Sequence, residues 1–240
     1  MKNLTIIISL IALVPLTSCN FDLNLNRING NGTVVTEQRT IGEDFNAVRG
    51  SSGLDVVITK GDENKILVEA DENLHEVIET EVVNGTLKIG VKGNIGNSEK
   101  KTVYVTYVSI NTVEASSGAD VVVNSLMEVE NLTLDSSSGA SITAEVFSKS
   151  LYAEASSGAD LKITGRSASL KAKASSGADI DARELLALNC NADVSSGADI
   201  KVNVKNTLEV EATSGGDIHY YGSPAITTEN QRHLGSVHKM

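Results

Sequence analysis

Serine and aspartate recur together at even spacing along the second half of the chain, and both residue types can take part in hydrolytic chemistry. The repeated unit is "SSGAD", with its glycines 18 to 21 residues apart. A catalytic serine needs a base held beside it, but the four histidines keep no constant relation to these units. One nucleophile would also suffice for a reaction. The repetition therefore indicates a structural unit.

The glycines of the repeated unit define its period. They are Gly118, Gly139, Gly158, Gly177, Gly197 and Gly215, and an earlier relative, "GSSGLDVVI", carries Gly53. Self-similarity at a fixed period of this length is typical of a solenoid or a repeat array.

The pattern inside each unit has a period of two. In "LYAEASSGADLKI" small or apolar residues alternate with polar ones, as in a half-buried strand. No unit has room for a helix of ordinary length. Short strands joined by a corner of small residues predict an all-β fold, a parallel β-helix (β-solenoid) with coils of about 20 residues.

Stacked coils place equivalent residues in ladders about 4.8 Å apart. The alternation predicts that one serine of each corner faces inward, where its hydroxyl can bond along the stack. This serine ladder consists of Ser117, Ser138, Ser157, Ser176, Ser196 and Ser214. Inward ladders of alanine (Ala119, Ala140, Ala159, Ala178, Ala198) and of aliphatic residues (Val121, Ile142, Leu161, Ile180, Ile200, Ile218) follow it.

The aspartates of the units are predicted to face outward. They are Asp120, Asp160, Asp179, Asp199 and Asp217, with Ser141 interrupting the row. Solvated carboxylates are the favoured interpretation. The alternative is a linear site for divalent cations, because Ca²⁺ prefers oxygen ligands. The glycine-rich nonapeptide of calcium-binding β-rolls is absent, which weakens that alternative.

The first residues have the features of an export signal. Lys2 precedes an apolar run that ends at Leu16, and this run is much shorter than the ~20 residues that a membrane span needs. "LTSC" resembles a bacterial lipobox, which implies cleavage after residue 18 and lipidation of Cys19. An ordinary signal peptide with an unmodified Cys19 is the alternative. Lipid would anchor the protein to a membrane.

The remaining chain divides by composition. Residues 19–32 are polar and predict a tether, and residues 33–240 predict one solenoid domain with regular repeats over about 111–222. Residues 33–110 are expected to form wider, irregular first coils and a cap, with a hairpin turn at Asn84-Gly85 and a short helical stretch around Leu74. Pro224 and the polar run after it are expected to end the stacking.

Charge and cysteine usage exclude several classes of protein. A net charge of −11 disfavours binding to nucleic acid, whose phosphates need a basic surface. If Cys19 carries lipid, Cys190 has no disulfide partner within the chain. Its place in the alternation predicts a small buried side chain and not a nucleophile. No pattern indicates a metal or another cofactor.

One known family combines these features. The chain from about residue 45 resembles the family called "putative auto-transporter adhesin, head GIN domain" in "LDVVITKGDENKILVEADENLHEVIETEVVNGTLKI", in the tandem "SSGAD" units, and in the closing "YYGSP" and "GSVHK". The resemblance implies a right-handed parallel β-helix that is exported and often lipid-anchored, as in Bacteroidota. It implies adhesion and offers no catalytic residues.

A non-enzymatic envelope lipoprotein is the favoured function, either an adhesin or a binding or structural module with an unknown protein or glycan ligand. A homo-oligomer is an alternative to a monomer. The alternative is a polysaccharide lyase or hydrolase, but no carboxylate pair stands apart from the periodic rows. Ice binding by a flat hydroxyl face is disfavoured because the serines are predicted to face inward. An outer-membrane location is expected, and the lack of an acidic run after Cys19 favours its periplasmic face.

Overall fold

The structure, a computed structural model, describes residues 27–240, nearly all of them in strands or turns. The predicted signal peptide and Cys19 lie outside these residues. The strands before the regular repeats are β1 (Arg27–Ile28), β2 (Val34–Arg39), β3 (Ala47–Gly50), β4 (Asp55–Lys60), β5 (Lys65–Asp71), β6 (Ile78–Val83), β7 (Thr86–Val91), β8 (Asn94–Ile95) and β9 (Lys101–Tyr107). A single 3₁₀ turn at Glu72–Leu74 takes the place of the expected helical stretch.

The later strands form the coils of the predicted solenoid. They are β10 (Thr112–Ala115), β11 (Asp120–Val123), β12 (Met127–Ser137), β13 (Ser141–Ser156), β14 (Asp160–Ser175), β15 (Asp179–Val194), β16 (Asp199–Thr213), β17 (Asp217–Gly222), β18 (Ala225–Arg232) and β19 (Ser236–Lys239). Within residues 27–240, no helix is both long and apolar enough to span a bilayer.

Successive coils stack in parallel and in register, which confirms the β-solenoid. Between β13 and β14, Leu151 lies opposite Leu170 and Ala153 opposite Ala172. The predicted alanine and aliphatic ladders are buried along the whole stack. The aliphatic ladder belongs to one continuous hydrophobic core that runs along the stack.

The serine ladder stands where predicted along the stack, but it faces solvent. Ser157 has φ +56° and Gly158 has φ +69°, so both occupy the left-handed region. The amide of Ala159 donates to the carbonyl of Ser156 at 3.3 Å, which closes a tight turn with the type I′ signature of two successive positive φ values. The turn interrupts the side-chain alternation at the serine, because two left-handed residues do not continue a pleated strand: Ala155 and Ala159 are buried, whereas Ser157 between them is exposed. The prediction of inward hydroxyls was therefore wrong for Ser117, Ser138, Ser157, Ser176, Ser196 and Ser214, all of which are exposed.

The same turn recurs at each level of the stack and forms what we call the corner stack. Its members are Ser52-Gly53, Ser117-Gly118, Ser138-Gly139, Ser157-Gly158, Ser176-Gly177, Ser196-Gly197, Ser214-Gly215 and His233-Leu234. In each turn but the last, the amide of the second residue donates to the carbonyl of the first residue in the next turn, at 2.9–3.2 Å. Main-chain hydrogen bonds thus continue through the corner without a gap.

The first coil has a regular corner, and the rest of it is irregular and wider, as predicted. β3 and β4 flank the Ser52-Gly53 turn and pair directly with β10 and β11 of the next coil. The chain between them, residues 61–110, lies on the other side of this coil, where β7 pairs with β3 and β9 pairs with β4. Antiparallel strands then close the end: β5 pairs with β9, β2 with β5, and β6 with β7 through the predicted Asn84-Gly85 turn. The expected cap is therefore an insertion between the first two coils.

Residues 27–32 belong to the folded body, so the predicted tether over 19–32 is wrong for its second half. β1 pairs in parallel with β8. The buried carboxylate of Asp71 accepts amide hydrogen bonds from Gly32, Glu99 and Lys100 at 3.0–3.3 Å. Burial alone would raise the pKa of Asp71, but these hydrogen bonds lower it overall.

Stacking also continues past Pro224, contrary to expectation. β18 pairs in parallel with β16, and β19 pairs with β17 as far as Lys239. His233 and Leu234 occupy the serine and glycine positions of this last turn, both with positive φ. The regular coils therefore extend beyond 222, and His233 and His238 are part of a coil instead of a free tail.

The corner geometry predicts which substitutions Ser157 tolerates. Ser157→Val is expected to lower the free energy of unfolding by about 1–2 kcal/mol, because a branched side chain is strained in the left-handed region. Ser157→Asn is expected to change it little, because asparagine tolerates that region and solvent accommodates the larger side chain. Urea denaturation of the two variants checks this. A tolerated valine with a destabilising asparagine would instead support an inward serine.

Candidate functional site

The aspartate ladder forms one straight row on the outside of the corner stack. Strand pairing joins Asp120 to Ser141, Ser141 to Asp160, and then Asp160, Asp179, Asp199 and Asp217 in turn. These carboxylates are exposed or half-buried, as predicted. Sequence reasoning missed a further member, Asp55, which lies opposite Asp120. The signal was present, because Asp55 follows Gly53 at the spacing of the other units.

Hydroxyl groups reduce the charge repulsion within the aspartate ladder at two points. Ser141 donates a hydrogen bond to the carboxylate of Asp120, and Ser236 donates one to Asp217. Between them the like charges are less well accommodated. The pKa of Asp199 is raised, first by partial burial and then by the neighbouring charges of Asp179 and Asp217.

The row does not form a compact ligand cage. Each coil contributes one carboxylate, and no group of three or more His, Cys, Asp or Glu side chains in residues 27–240 is arranged to hold a metal ion.

A second charged row lies on the other side of the corner, four residues before each glycine. It contains Arg49, Glu114, Asp135, Glu154, Lys173, Asp193 and Glu211. Arg49 forms an ion pair with Glu114. Burial, Glu154 and Glu114 raise the pKa of Asp135, and burial together with a hydrogen bond to Glu154 raises the pKa of Tyr152 to about 12. Sequence reasoning did not identify this row, although its fixed offset from the glycines could have shown it.

The other candidates for chemistry do not converge on a reaction centre. Cys190 is buried, as predicted, and burial raises the pKa of its thiol to about 12, so the reactive thiolate is disfavoured. His75 is buried in the cap, with Nδ1 3.2 Å from Glu37. His219 stacks on His238 with ring centroids 5.3 Å apart. No serine of the corner stack is hydrogen-bonded to a histidine in the described part of the chain, whereas Ser236 on β19 lies 3.0 Å from Nε2 of His238.

Ice binding was disfavoured because the serines were predicted to face inward, but these serines are exposed. The hydroxyls lie on a turn only two residues wide, however, and not on a flat strand face. A flat array of hydroxyls is therefore still not formed at this corner.

A concavity lies at a different bend of the coils, along β12 to β16, and we call it the lateral groove. It has a volume of about 680 Å³. Its apolar members are Phe147, Leu186, Leu188, Val129 and Ala168, and its charged members are Glu128, Glu130, Lys149, Arg166 and Lys205. Sequence reasoning missed this groove. The available signal was that Phe147, Leu186 and Leu188 occupy outward positions of the alternation, where polar residues are expected.

A family profile described as "Putative auto-transporter adhesin, head GIN domain" matches residues 44–224. A search among proteins of curated function finds no match.

Several solved structures share the fold. A crystal structure of a "putative adhesin" from Bacteroides fragilis NCTC 9343 has a TM-score of 0.80 at 18% identity, covering 89% of this chain and 100% of its own. A "putative adhesin" from Parabacteroides merdae ATCC 43184 has a TM-score of 0.69 at 22% identity, with coverage of 89% and 99%. A "putative lipid binding protein" from Parabacteroides distasonis ATCC 8503 has a TM-score of 0.69 at 18% identity, also with coverage of 89% and 99%.

The electrostatics of the aspartate ladder predict a pH-dependent effect of Asp199→Asn. Because the folded-state pKa of Asp199 is raised, its contribution to stability is full below the unfolded pKa and is lost as pH rises through the folded pKa. The variant is therefore expected to raise Tm at neutral pH and to change it little at about pH 3. Thermal melts at both pH values test this, with Asp62→Asn in an exposed loop as the charge-matched control.

The cation alternative predicts the opposite. If Asp199→Asn lowers Tm at neutral pH, and millimolar CaCl₂ stabilises the parent chain but not the variant, the row binds cations and the interpretation as solvated carboxylates fails.

Proposed function

Because the chain belongs to the family described as "Putative auto-transporter adhesin, head GIN domain", we propose that it is a non-enzymatic lipoprotein of the bacterial cell envelope. Its body acts as a binding or structural module. The solenoid presents an extended, repetitive surface to a partner and leaves that partner chemically unchanged.

The observation that carries this proposal is the periodic placement of the polar side chains. The serine row, the aspartate row and the second charged row each repeat once per coil along the stack. Catalysis needs a few groups that converge on one reacting atom, whereas an extended partner is matched by equivalent groups at a regular spacing. The names of the solved relatives, adhesins and a lipid-binding protein, agree with binding.

The lipoprotein part of the proposal is supported by the sequence. "LTSC" with Cys19 ends an apolar leader, and Cys190, the other cysteine, is buried in the core. Lipid on Cys19 would hold the acidic body beside a membrane, for which we propose the outer membrane. The partner is proposed to be a protein or glycan of the envelope or of a neighbouring surface. The lipid-binding relative motivates lipid as a second class of ligand.

Replacement of Cys19 separates anchoring from folding. In cells fed radiolabelled palmitate, Cys19→Ser is expected to lose the label and to leave the membrane fraction, because lipid would attach through that sulfur. Cys190→Ala is the matched control and is expected to keep both properties. Label on Cys19→Ser, or membrane retention without label, would contradict a lipid anchor at Cys19.

Protease treatment of intact cells then determines the side of the membrane. Cleavage of the body on intact cells would support adhesion to host or neighbouring surfaces. Protection until the outer membrane is opened would support a periplasmic partner, the orientation favoured by the residues after Cys19.

A further inference from the structure

The lateral groove exposes apolar side chains that the fold does not use. Phe147 is 51% exposed, Leu186 38% and Leu188 37%. Phe147 and Leu186 occupy the same outward ladder, with Arg166 between them. Phe147 on β13 and Leu186 and Leu188 on β15 line one groove, with Arg166 and Ala168 of β14 between them, and grouped apolar side chains mark binding sites more often than isolated exposed residues do.

The polar groups at the floor of the groove need no hydrogen bond from a ligand. Ser148 and Ser167 lie between the outward rows and are buried. Ser148 donates its hydroxyl hydrogen bond to Ser167 at 3.0 Å, and Ser167 donates to the carbonyl of Ser169 at 2.9 Å. Because these hydroxyls are satisfied inside the protein, an apolar chain can cover them without leaving a polar group unpaired.

The concave shape of the groove fits one ligand molecule better than it fits a flat partner such as a bilayer. The groove volume of about 680 Å³ lies within the ~300–1,000 Å³ typical of small-molecule sites. A planar bilayer could touch the rim but would not fill the concavity.

The charges are distributed unevenly along the groove. Lys149 is paired with Glu130, whereas Arg166 and Lys205 form no ion pair within residues 27–240. With Glu128 and Glu130 at the end nearer β12, the carboxylates lie at one end and the unpaired cations lie toward β14 and β16. In a chain of net charge −11, an apolar groove with two unpaired cations complements an amphiphile that carries a negative head group.

We propose that the lateral groove binds one single-chain amphiphile with an anionic head group. The acyl chain lies on Phe147, Leu186 and Leu188. The head group lies against Arg166 and Lys205, away from Glu128 and Glu130. This inference names a ligand class for a binding protein and so rests on the proposed function.

The test uses the chain from Asn20 onward, which lacks the cysteine at position 19 and retains the whole described body. Titration calorimetry with laurate below its micelle concentration is expected to show one site per chain. Dodecyltrimethylammonium, with the same chain length and the opposite head-group charge, is expected to bind at least about tenfold more weakly.

Matched variants locate the site. Phe147→Ser and Arg166→Glu are each expected to weaken laurate binding by about tenfold or more. Ile226→Ser, which removes an exposed apolar side chain on β18, and Lys162→Glu, which inverts an exposed cation elsewhere on β14, are expected to leave it unchanged. All four positions face solvent, and circular dichroism confirms that each variant is folded.

Four results would overturn the proposal. The first three are the absence of laurate binding, equally strong binding of the cationic amphiphile, and an equal loss of laurate binding in the control variants. The fourth is Phe147-dependent association, either with phosphatidylglycerol vesicles or between two copies in sedimentation, without laurate binding. If laurate fails to bind while Cys19 is labelled and the chain fractionates with membranes, this inference fails and the proposed lipoprotein function stands.

Discussion

The left-handed corner turn is the constraint on which the solenoid depends. A serine and a glycine with positive φ turn the chain within two residues, and the glycine amide donates to the serine carbonyl of the next coil. Without this bond, the glycine amide of each exposed turn would have only water as a partner. The amide of the aspartate that follows donates in the opposite direction, to the preceding coil, at 2.9–3.0 Å in the regular repeats. Each coil is thereby joined to both neighbours at its tightest point.

This corner also fixes what the outside of the molecule presents. Because the turn interrupts the alternation only at its own two residues, the small alanine that follows it packs inward while the serine of the turn and the aspartate face water. Because the coils stack at equal spacing, the repeated pentapeptide forms parallel rows of hydroxyls and carboxylates. The bend at the lateral groove is less constrained, since register shifts occur there between β15 and β16. Outward side chains along this bend differ from coil to coil, as the row of Phe147, Arg166 and Leu186 shows.

The repeat period and the alternation were sufficient to predict the solenoid, its buried ladders and the outward aspartates, because these follow from spacing alone. The direction of the serines was wrong, because alternation assumes extended backbone and two left-handed residues break it. The cap involves pairing between segments far apart in sequence, such as β2 with β5, which local patterns do not specify. The last coil keeps the repeat spacing, with Leu208 opposite Ile226, but it lacks the "SSGAD" residues by which the repeats were recognised. Leu234 could not be assigned to a corner turn from its residue type, because a leucine with φ +66° takes a position that glycine occupies in the other turns.

Hydrogen exchange at the corner glycines tests the central claim most directly. The amides of Gly118, Gly139, Gly158, Gly177 and Gly197 lie on an exposed turn but each donates to the next coil. Measured residue by residue by NMR, they are expected to exchange as slowly as the amides of the adjoining strands. Exchange at the rate of an unstructured peptide, with the strands still protected, would show that the corners do not join the coils.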